Sequence, residues 1–384
     1  MKTTILHLSH TDIRRDSRIL KELKALRPFA EEKGFQVRAL GILDRGAKSA
    51  VPPAPEGVEI LTMECFVRKL WVPHRLIRHG LVFLEIMVRF LFLGLKMRPA
   101  IVHCHDTMVL PVALLVSIIS RGQLVYDAHE LETDRNGQGK LEQKVTMLFE
   151  KIAWSAIDFF ISVSPSINKF YVEKYGPKAN EVILNAPELT PVDVGSQSQA
   201  NALRDRLGIS PEERLFVYLG ILGPGRGLEN LLEAFSRLVG EAHLVCVGWG
   251  EYEQKIKDYA TRFPNIHLHE PVPHAEVVPL VKGADFGMCM IEPISLSDYY
   301  CLPNKLFEYA FAGLPVLASK FPELERVVRD HKLGTTCEND VSSIVNAVKD
   351  IIGRKHEFSF ENLEELSWQR QAELLVAGYR TLVA

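Results

Sequence analysis

The sequence predicts two α/β domains, each built on a mainly parallel β-sheet with helices on both faces. Short apolar, β-branched runs alternate with longer helical patterns along nearly the whole chain, which is typical of βαβ units. A polar, proline-containing stretch at 186–214 interrupts this alternation near the middle of the chain. The chain has 384 residues, of which 47% are hydrophobic, and this is enough for at least two domains of about 150 residues with sizeable cores.

The first half contains seven predicted strands and five predicted helices. The strands are expected at 3–9, 36–42, 58–62, 101–105, 123–127, 157–163 and 181–185. The helices are expected at about 17–33, 73–97, 108–120, 139–155 and 165–175.

The second half repeats the same organisation after the break. Strands are expected at 215–220, 243–247, 265–269, 285–291, 315–318 and 333–337. Helices are expected at 226–238, 250–262, 274–283, 303–312, 322–329 and 341–352.

These patterns divide the chain into a first domain over 1–190 and a second domain over 191–360. Residues 361–384 form a C-terminal helical stretch that is a candidate to cross back to the first domain. In doubly wound sheets, ligands bind outside the carboxyl ends of the strands. We therefore expect both domains to turn those ends toward a central cleft.

Charge and cysteine content exclude several classes of protein. Lys and Arg total 45 against 48 Asp and Glu, so the chain lacks the basic excess of a nucleic-acid binder.

The six cysteines form no C-x-x-C pair, as expected in a reducing compartment, and we predict a cytoplasmic location. The N-terminus runs directly into a predicted strand without a signal-peptide pattern. No apolar run approaches the ~18 residues of a membrane span.

A glycine-rich turn follows the first strand of the second half. The segment GILGPGRG (220–227) lies between that strand and the next helix. Its glycines, including Gly223 and Gly225, let the backbone approach an anion, and the helix N-terminus favours negative charge. Arg226 adds a cation whose planar fork suits phosphate oxygens. The alternative is a tight turn with an exposed arginine.

A second phosphate-binding candidate is the segment PNKLFEYAFAGLPV (303–316). Lys305 would lie in the first turn of a helix, where the helix dipole disfavours a cation unless an anion is also present. Glu308 lies three residues later on the same helical face. The segment is therefore interpreted as a diphosphate site with Glu308 accepting from a ribose diol. A Lys–Glu surface pair on a routine helix is the alternative.

Two strand ends in the first half are rich in ionisable groups. They are HCHD (103–106) and YDAHE (126–130). Strand alternation places His103 and His105 on the same face of their strand. Asp127 and His129 likewise share one side of theirs. The His-x-His spacing also occurs in metal sites. Helix capping by the strand-end carboxylates is the simpler alternative.

Taken together, these motifs resemble the retaining GT-B glycosyltransferases of family 4, which include bacterial lipopolysaccharide and capsule enzymes. Glu308, Gly313, Pro315 and Val316 match the spacing of the family's ribose-binding motif, and Arg226–Gly227 matches its basic residue after the glycine-rich turn. The HxHD and YDxHE segments resemble the family's first domain. The resemblance extends over about 3–353 and implies a GT-B fold with two Rossmann-like domains.

The resemblance also implies roles for individual residues. Gly223, Gly225, Arg226 and Lys305 would bind the donor diphosphate, and Glu308 would bind the donor ribose. His129 would lie near the donor sugar and act in catalysis, with Asp106 as a second catalytic candidate. The loop and helix at 9–26 match the acceptor side, so that Asp16 and Arg18 would face the acceptor.

Two positions depart from the family pattern. Tyr300 stands where the family often has an earlier Glu, and Ile221 stands where it usually has Arg. The P-N-K-L-F-E-Y segment resembles a subgroup in which Lys305 supplies charge near the diphosphate. Glu292 and Asp298 are the candidates to replace the missing carboxylate.

The implied reaction transfers a sugar with retention from a nucleotide diphosphate, UDP before GDP, to a hydroxyl of a glycan or lipid-linked acceptor. No metal and no cofactor are expected, because Arg226, Lys305 and backbone amides would stabilise the leaving diphosphate. Three alternatives remain open. They are a nucleotide-sugar epimerase on the same fold, a metal-dependent hydrolase using the HxH and DxH residues, and a non-catalytic sugar-nucleotide sensor.

Residues 67–98 form a mostly apolar, locally basic segment. A narrow polar stripe of Arg78, Glu85, Arg89 and Lys96 runs along its predicted helix. One interpretation is a helix buried against the sheet. The other is a helix that docks the protein peripherally on an anionic membrane surface at the inner face of the cell membrane, which would suit a lipid-linked acceptor.

Overall fold

The computed structural model describes residues 3–44, 51, 53–71, 74–188, 203–353 and 358–383. The side chains of residues 75, 76, 274 and 275 are outside this description. The chain divides into two compact units, one formed by 1–184 with 371–384 and the other by 185–370. The expected boundary at 190/191 falls outside the described residues.

The first unit is built on a seven-stranded parallel sheet with the strand order β3-β2-β1-β4-β5-β6-β7. Its strands are β1 (Thr3–Leu8), β2 (Phe35–Ile42), β3 (Glu59–Met63), β4 (Pro99–His105), β5 (Gln123–Ala128), β6 (Phe159–Ser162) and β7 (Asn180–Val182). Its helices are α1 (Ser17–Lys33), α2 (Arg75–Lys96), α3 (Leu110–Ser120), α4 (Lys140–Ala153) and α5 (Pro165–Tyr175).

The second unit has a six-stranded parallel sheet with the order β10-β9-β8-β11-β12-β13. Its strands are β8 (Leu215–Ile221), β9 (His243–Trp249), β10 (Ile266–His269), β11 (Phe286–Cys289), β12 (Val316–Ser319) and β13 (Gly334–Cys337). Its helices are α6 (Leu228–Ser236), α7 (Glu253–Arg262), α8 (His274–Val281), α9 (Leu296–Tyr299), α10 (Asn304–Phe311), α11 (Pro322–Asp330) and α12 (Val341–Gly353).

The last helix, α13 (Trp368–Leu382), begins in the second unit, and its residues from Gln371 onward belong to the first. The side-chain oxygen of Gln371 accepts a hydrogen bond from the backbone N–H of Leu184 at 2.9 Å. Tyr379 is fully buried beside β4, where its hydroxyl lies 2.6 Å from Nδ1 of His103.

Local signals explain where several helices begin and end. The Asp16 carboxylate accepts from the N–H of Ile19 and caps α1, and Gly34 ends that helix with φ +74°. Ser164 caps α5, with Pro165 in its first position. Pro303 instead lies one residue outside α10, where its extended backbone is the N-cap. Among the helices within the described ranges, none is long and apolar enough to cross a membrane.

The strand orders place a topological switch point between β1 and β4 in the first unit and between β8 and β11 in the second. Crossovers run in opposite directions on either side of such a point, which opens a crevice at the carboxyl ends of the strands. The predicted doubly wound α/β class is confirmed in both units.

Candidate functional sites in the two units

A pocket of about 500 Å³ opens at the carboxyl ends of β8 and β9 in the second unit. Its wall includes three predicted residues, Arg226, Lys305 and Glu308, which come from the glycine-rich turn and from the first turns of α10. Pro271 and Val272, which follow β10, add an apolar side. The structure thus brings together two cations, one carboxylate and a helix N-terminus around one pocket.

Glycine is required where β8 and β9 end side by side. A Cβ on Gly248 would collide with the carbonyl oxygen of Gly220, and both residues have positive φ. These two glycines line the pocket, followed by the exposed side chains of Ile221 and Trp249. The close approach leaves backbone groups rather than side chains at this part of the pocket wall.

The glycine-rich turn has a different internal organisation from the one expected. Gly223 and Gly225 are buried in the turn and are not among the residues that line the pocket. The Gly225 carbonyl accepts from the N–H of Glu292, and the N–H of Gly227 donates to Oε1 of Glu292 at 3.2 Å. Glu292 therefore holds the turn that presents Arg226.

Lys305 is buried on an aromatic ring at the pocket floor. Its Nζ lies 3.8 Å from the ring centroid of Tyr218, and the residue is only 9% exposed. A cation held over a ring face gains electrostatic attraction from the ring quadrupole. No side chain caps the N-terminus of α10, and its first residues, Asn304 and Lys305, line the same pocket.

Asp298, the other candidate replacement carboxylate, has a local role. It lies in α9, where its Oδ2 accepts from the hydroxyl of Ser295 at 2.8 Å. The same hydroxyl accepts from the N–H of Asp298 and caps the helix. Neither Asp298 nor Glu292 lines the pocket among the described residues.

The first unit carries a buried chain of imidazole rings at the ends of β1, β4 and β5. Nδ1 of His7 lies 3.0 Å from Nε2 of His105, and Nδ1 of His105 lies 3.1 Å from Nε2 of His129. His7 and His105 are fully buried, whereas 17% of the His129 side chain is exposed. The chain therefore runs from the protein surface at His129 into the sheet.

Two carboxylates set the charge of His129. Its Nε2 is 3.1 Å from Asp127, and its Nδ1 is 3.6 Å from Asp106. Burial alone would lower the pKa of His129, but these two carboxylates outweigh it and raise the pKa to about 10. His129 is therefore an imidazolium at neutral pH, while burial lowers the pKa values of His7 and His105 and keeps them neutral.

Asp106 sits in a strained position at the end of β4. Its φ of +64° is unusual for a residue with a side chain, and such strain is concentrated at functional sites. Burial would raise the pKa of Asp106, but His129 and His10 outweigh burial and leave this pKa below its ordinary value. A carboxylate held anionic in this way is suited to stabilising the His129 imidazolium.

Four buried side chains meet some distance requirements of a metal site. His7, Glu22, His103 and His105 offer ligand atoms within 4.8 Å of one another. However, the three imidazole planes lie within 25° of one another, and His7 and His105 face each other at hydrogen-bond distance. Ligand lone pairs lie in the ring planes, so these rings do not converge on one ion. The arrangement fits a hydrogen-bonded stack instead.

Arg18 was expected to face the acceptor, but the structure buries its side chain inside the first unit. Its guanidinium is only 3% exposed, donates to both oxygens of Asp127, and donates to the carbonyl of Ile183 at 2.9 Å. It also lies 3.0 Å from Glu22, one helical turn later. Arg18 therefore anchors Asp127 inside the unit and has no surface to offer an acceptor.

Asp16 remains partly exposed, and it lines a pocket of about 380 Å³ at the ends of β1 and β2. His10, Asp44 and Arg68 line the same pocket. The Asp16 side chain also caps α1 through the N–H of Ile19. Asp16 thus caps α1 and lines this pocket, and its acceptor-side role stays a prediction.

Two family models match the chain. The model for a glycosyl transferase 4-like domain matches residues 22–186, and the model for glycosyl transferases group 1 matches residues 213–354. Together the two matches cover most of the sequence, one in each unit. This chain belongs to the GT-B glycosyltransferases.

Proteins of similar sequence and of similar structure support this family assignment. A glycogen synthase from Mycobacterium tuberculosis is 27% identical over 297 residues, which are 73% of this chain and 65% of that enzyme. The match therefore spans less than two thirds of this relative's length. Sucrose-phosphate synthase from Thermosynechococcus elongatus has a TM-score of 0.72 at 16% identity, covering 99% of both chains.

Anabaena HepE, solved in complex with UDP and glucose, gives a TM-score of 0.68 at 14% identity, covering 100% of this chain and 98% of that chain. These likenesses confirm the GT-B fold expected from the sequence.

Several residues in the sites of the GT-B protein were not expected from its sequence. His7 and Glu22 join the histidine cluster, and Tyr218 lies under Lys305. His7 lies in a strand directly paired with β4, in register with His103, so a strand-pairing argument would have found it. No local pattern signals Tyr379, which reaches His103 from the last helix.

Proposed function

We propose that this protein transfers a sugar from a nucleotide diphosphate donor to a hydroxyl of a glycan or lipid-linked acceptor, with retention at the anomeric carbon. We favour a UDP-sugar as donor, with a GDP-sugar next. The observation that carries the proposal is the convergence of Arg226, Lys305 and Glu308 on one pocket at the carboxyl ends of the strands.

Each part of the pocket matches one part of such a donor. Arg226, Lys305 and the uncapped N-terminus of α10 suit the diphosphate, since all three favour negative charge. Glu308 suits the ribose diol, which donates two hydrogen bonds. Pro271 and Val272 provide an apolar wall for a planar base. The complex of Anabaena HepE with UDP and glucose supports the preference for a uridine nucleotide.

The proposed chemistry depends on stabilising the leaving group. Negative charge grows on the diphosphate as the bond between sugar and phosphate breaks, and preorganised cations stabilise it most in the transition state. We propose that Arg226 and Lys305 do this without a metal ion. A leaving phosphate oxygen would accept the acceptor proton, and the His129 imidazolium, held by Asp106 and Asp127, would polarise the donor sugar.

The acceptor would be of the kind extended by lipopolysaccharide and capsule enzymes, and the protein would work in the cytoplasm. All six cysteines are free thiols, which suits a reducing compartment. The family and relative matches do not support an epimerase or a metal-dependent hydrolase.

The test is a binding measurement with UDP, UDP-glucose and GDP, read as a rise in melting temperature and as a calorimetric Kd. We expect UDP to bind more tightly than GDP. The melting temperature reports this binding, because a ligand that binds only the folded state raises it. Lys305→Ala and Glu308→Ala should each weaken UDP binding at least tenfold, which corresponds to about 1.4 kcal/mol.

Lys257→Ala, at an exposed lysine outside this pocket, is the matched control and should bind UDP as the unchanged protein does. Wild-type UDP affinity in both Lys305→Ala and Glu308→Ala would overturn the assignment of the pocket. Retention is tested by the anomeric configuration of the product, and metal independence by activity in the presence of EDTA.

A further inference from the structure

The outer face of α2 is apolar and exposed, which is the reverse of an ordinary soluble helix. Its exposed large side chains repeat at intervals of three and four residues and so form one stripe. They are Ile77, Leu81, Leu84, Val88 and Phe92. The opposite face, with Ile86 and Phe90, is buried, so the stripe points away from the sheet.

The charged groups of α2 that lie between these two faces are used inside the protein. The Glu85 carboxylate accepts from the backbone N–H groups of Phe66 and Val67 at 2.8 and 2.9 Å. Arg89 pairs with Glu85 and donates to the carbonyl of Glu64. These contacts fix the orientation of α2, so its apolar stripe cannot rotate inward without breaking them.

The helix α4 shows the same arrangement. Its inner face carries Glu150, whose carboxylate accepts hydrogen bonds from the hydroxyls of Tyr126, Tyr171 and Tyr175 at 2.7–3.0 Å. This buried network attaches α4 to the sheet and to α5. The outer face presents a second exposed apolar stripe, formed by Leu141, Val145, Leu148 and Ile152.

The two stripes join into one surface through α3. Helix α3 packs against both α2 and α4, and Phe83 of α2 stacks on Phe149 of α4 with ring centroids 5.9 Å apart. Its own exposed side chains, Leu115, Ile118 and Ile119, are apolar as well. We call the exposed faces of α2, α3 and α4 the three-helix surface. Monomeric proteins rarely expose contiguous apolar areas of this kind unless they bind something there.

The charges around the three-helix surface indicate the partner. Although the whole chain has a net charge of −3, the exposed charged side chains described on these helices are basic except for Glu142. The basic ones are Arg78, Lys96, Lys140, Lys144 and Lys151. Just before α2, Trp71 is 87% exposed, and Leu70 and Phe66 are exposed beside it. Tryptophan is enriched where a membrane meets water.

We propose that the three-helix surface docks this protein on the surface of an anionic lipid bilayer. The apolar stripes would lie at the boundary between headgroups and acyl chains, while the lysines and arginines would contact anionic headgroups. The proposal extends the docking role considered for 67–98 to a surface shared by three helices. It does not depend on the sugar-transfer reaction, but it would bring a lipid-linked acceptor within reach.

The experiment measures binding of the full chain to vesicles by sedimentation. One set contains equal parts of phosphatidylglycerol and phosphatidylcholine, and the other contains phosphatidylcholine alone. We expect binding to the anionic vesicles, little binding to the neutral ones, and weakening by salt. The triple variant Leu84→Gln, Val88→Gln, Leu148→Gln should bind at least tenfold more weakly. All three positions are exposed, so the fold should be retained.

A second variant tests the charges and a third is the control. Lys144→Glu with Lys151→Glu should weaken binding to anionic vesicles about tenfold. Val239→Gln, which changes an exposed apolar residue of the second unit, should leave binding unchanged. Absence of vesicle binding, or equal binding by all variants, would overturn the proposal. So would a dimer, seen by light scattering, that the triple variant dissociates while no vesicle binding is found.

UDP affinity reports separately on the proposed donor pocket. It should stay unchanged in every variant of the three-helix surface, because those residues lie outside the pocket wall. Failure of the docking proposal is therefore distinguishable from failure of the proposed function.

Discussion

Nε2 of His129 lies 3.1 Å from Oδ2 of Asp127, a carboxylate that also receives two hydrogen bonds from the buried Arg18. One buried anion thus joins the first helix of the chain to the histidine that the family resemblance assigns to the donor sugar. Because Asp127 is fully buried, its charge is screened little by solvent and strongly affects both cationic neighbours. This relationship leads to the first two predictions.

Asp127→Asn should destabilise the fold and lower the pKa of His129. Removing the carboxylate leaves the Arg18 guanidinium buried with its main partner lost, and breaking such a buried pair costs about 3–5 kcal/mol. The free energy of unfolding in urea measures this loss. Asp205→Asn, at an exposed helical position, is the control and should change stability by less than about 0.5 kcal/mol. Equal stability of the two variants would contradict the anchoring role.

The raised pKa of His129 predicts an alkaline limit to stability. The pKa is about 10 in the fold, against about 6.5 in an unfolded chain. The imidazolium therefore contributes stability that is fully present below about pH 6.5 and is lost as the pH rises through about 10. His129→Gln should lack this dependence. Unfolding free energies from neutral to alkaline pH measure it, and parallel curves for both proteins would contradict the prediction.

The lowered pKa of His103 predicts that stability falls on the acid side. Burial lowers its pKa to about 3, with the neighbouring His105 acting in the same direction. Between about pH 6.5 and 3 the unfolded chain binds a proton that the folded protein does not. Stability should therefore fall as the pH drops through this range, by up to about 1.4 kcal/mol per pH unit for this group. His103→Gln should flatten the slope in urea unfolding, and an unchanged slope would argue against a neutral His103.

Tyr218→Leu should weaken UDP binding without unfolding the second unit. The leucine removes the ring under Nζ of Lys305, and a cation–π contact contributes about 1–2 kcal/mol when it is shielded from water. We expect roughly a five- to thirtyfold higher Kd for UDP by calorimetry. Tyr218→Phe keeps the ring and loses only the hydroxyl bond to the Ile221 carbonyl, so it should bind nearly as the unchanged protein does. Equal Kd values for the leucine and phenylalanine variants would contradict a role for the ring.

Elements with strong local signals were predictable from the sequence. Within the described residues, all thirteen strands were expected near their observed positions, because most of them are buried parallel strands, which form apolar runs between turn residues. Asp127 and His129 were expected on one side of their strand and do meet. Arg226, Lys305 and Glu308 were expected to act together, and they line one pocket.

What the sequence did not reveal depends on contacts between distant segments. Arg18 was assigned to the acceptor side because its neighbours matched a loop, but Asp127, 109 positions away, draws it into the core. For α2, the sequence left open whether its apolar residues are buried against the sheet or exposed for docking on a membrane. Apolar periodicity indicates a helix but does not tell which of two apolar faces meets the sheet. The close approach of Gly220 and Gly248 arises only when β8 and β9 pair.

Two kinds of glycine lie near the donor pocket: Gly248 closely approaches the neighbouring strand, whereas Gly223 has no such close neighbour. Gly248→Ala should destabilise the protein by at least about 2 kcal/mol, since φ at this position is +153° and the new methyl would meet the Gly220 carbonyl. It should also abolish UDP binding, because both glycines line the pocket.

Gly223→Ala is the matched comparison within the turn. No atom lies closer than 3.9 Å to the methyl that it would introduce, and this glycine is outside the pocket wall. We expect a change in unfolding free energy below about 1 kcal/mol and an unchanged UDP affinity. Strong loss of UDP binding in a stable Gly223→Ala protein would instead indicate that the diphosphate binds at the glycine-rich turn. In that case the amides around Gly223 and Gly225, rather than the ends of β8 and β9, would contact the phosphates.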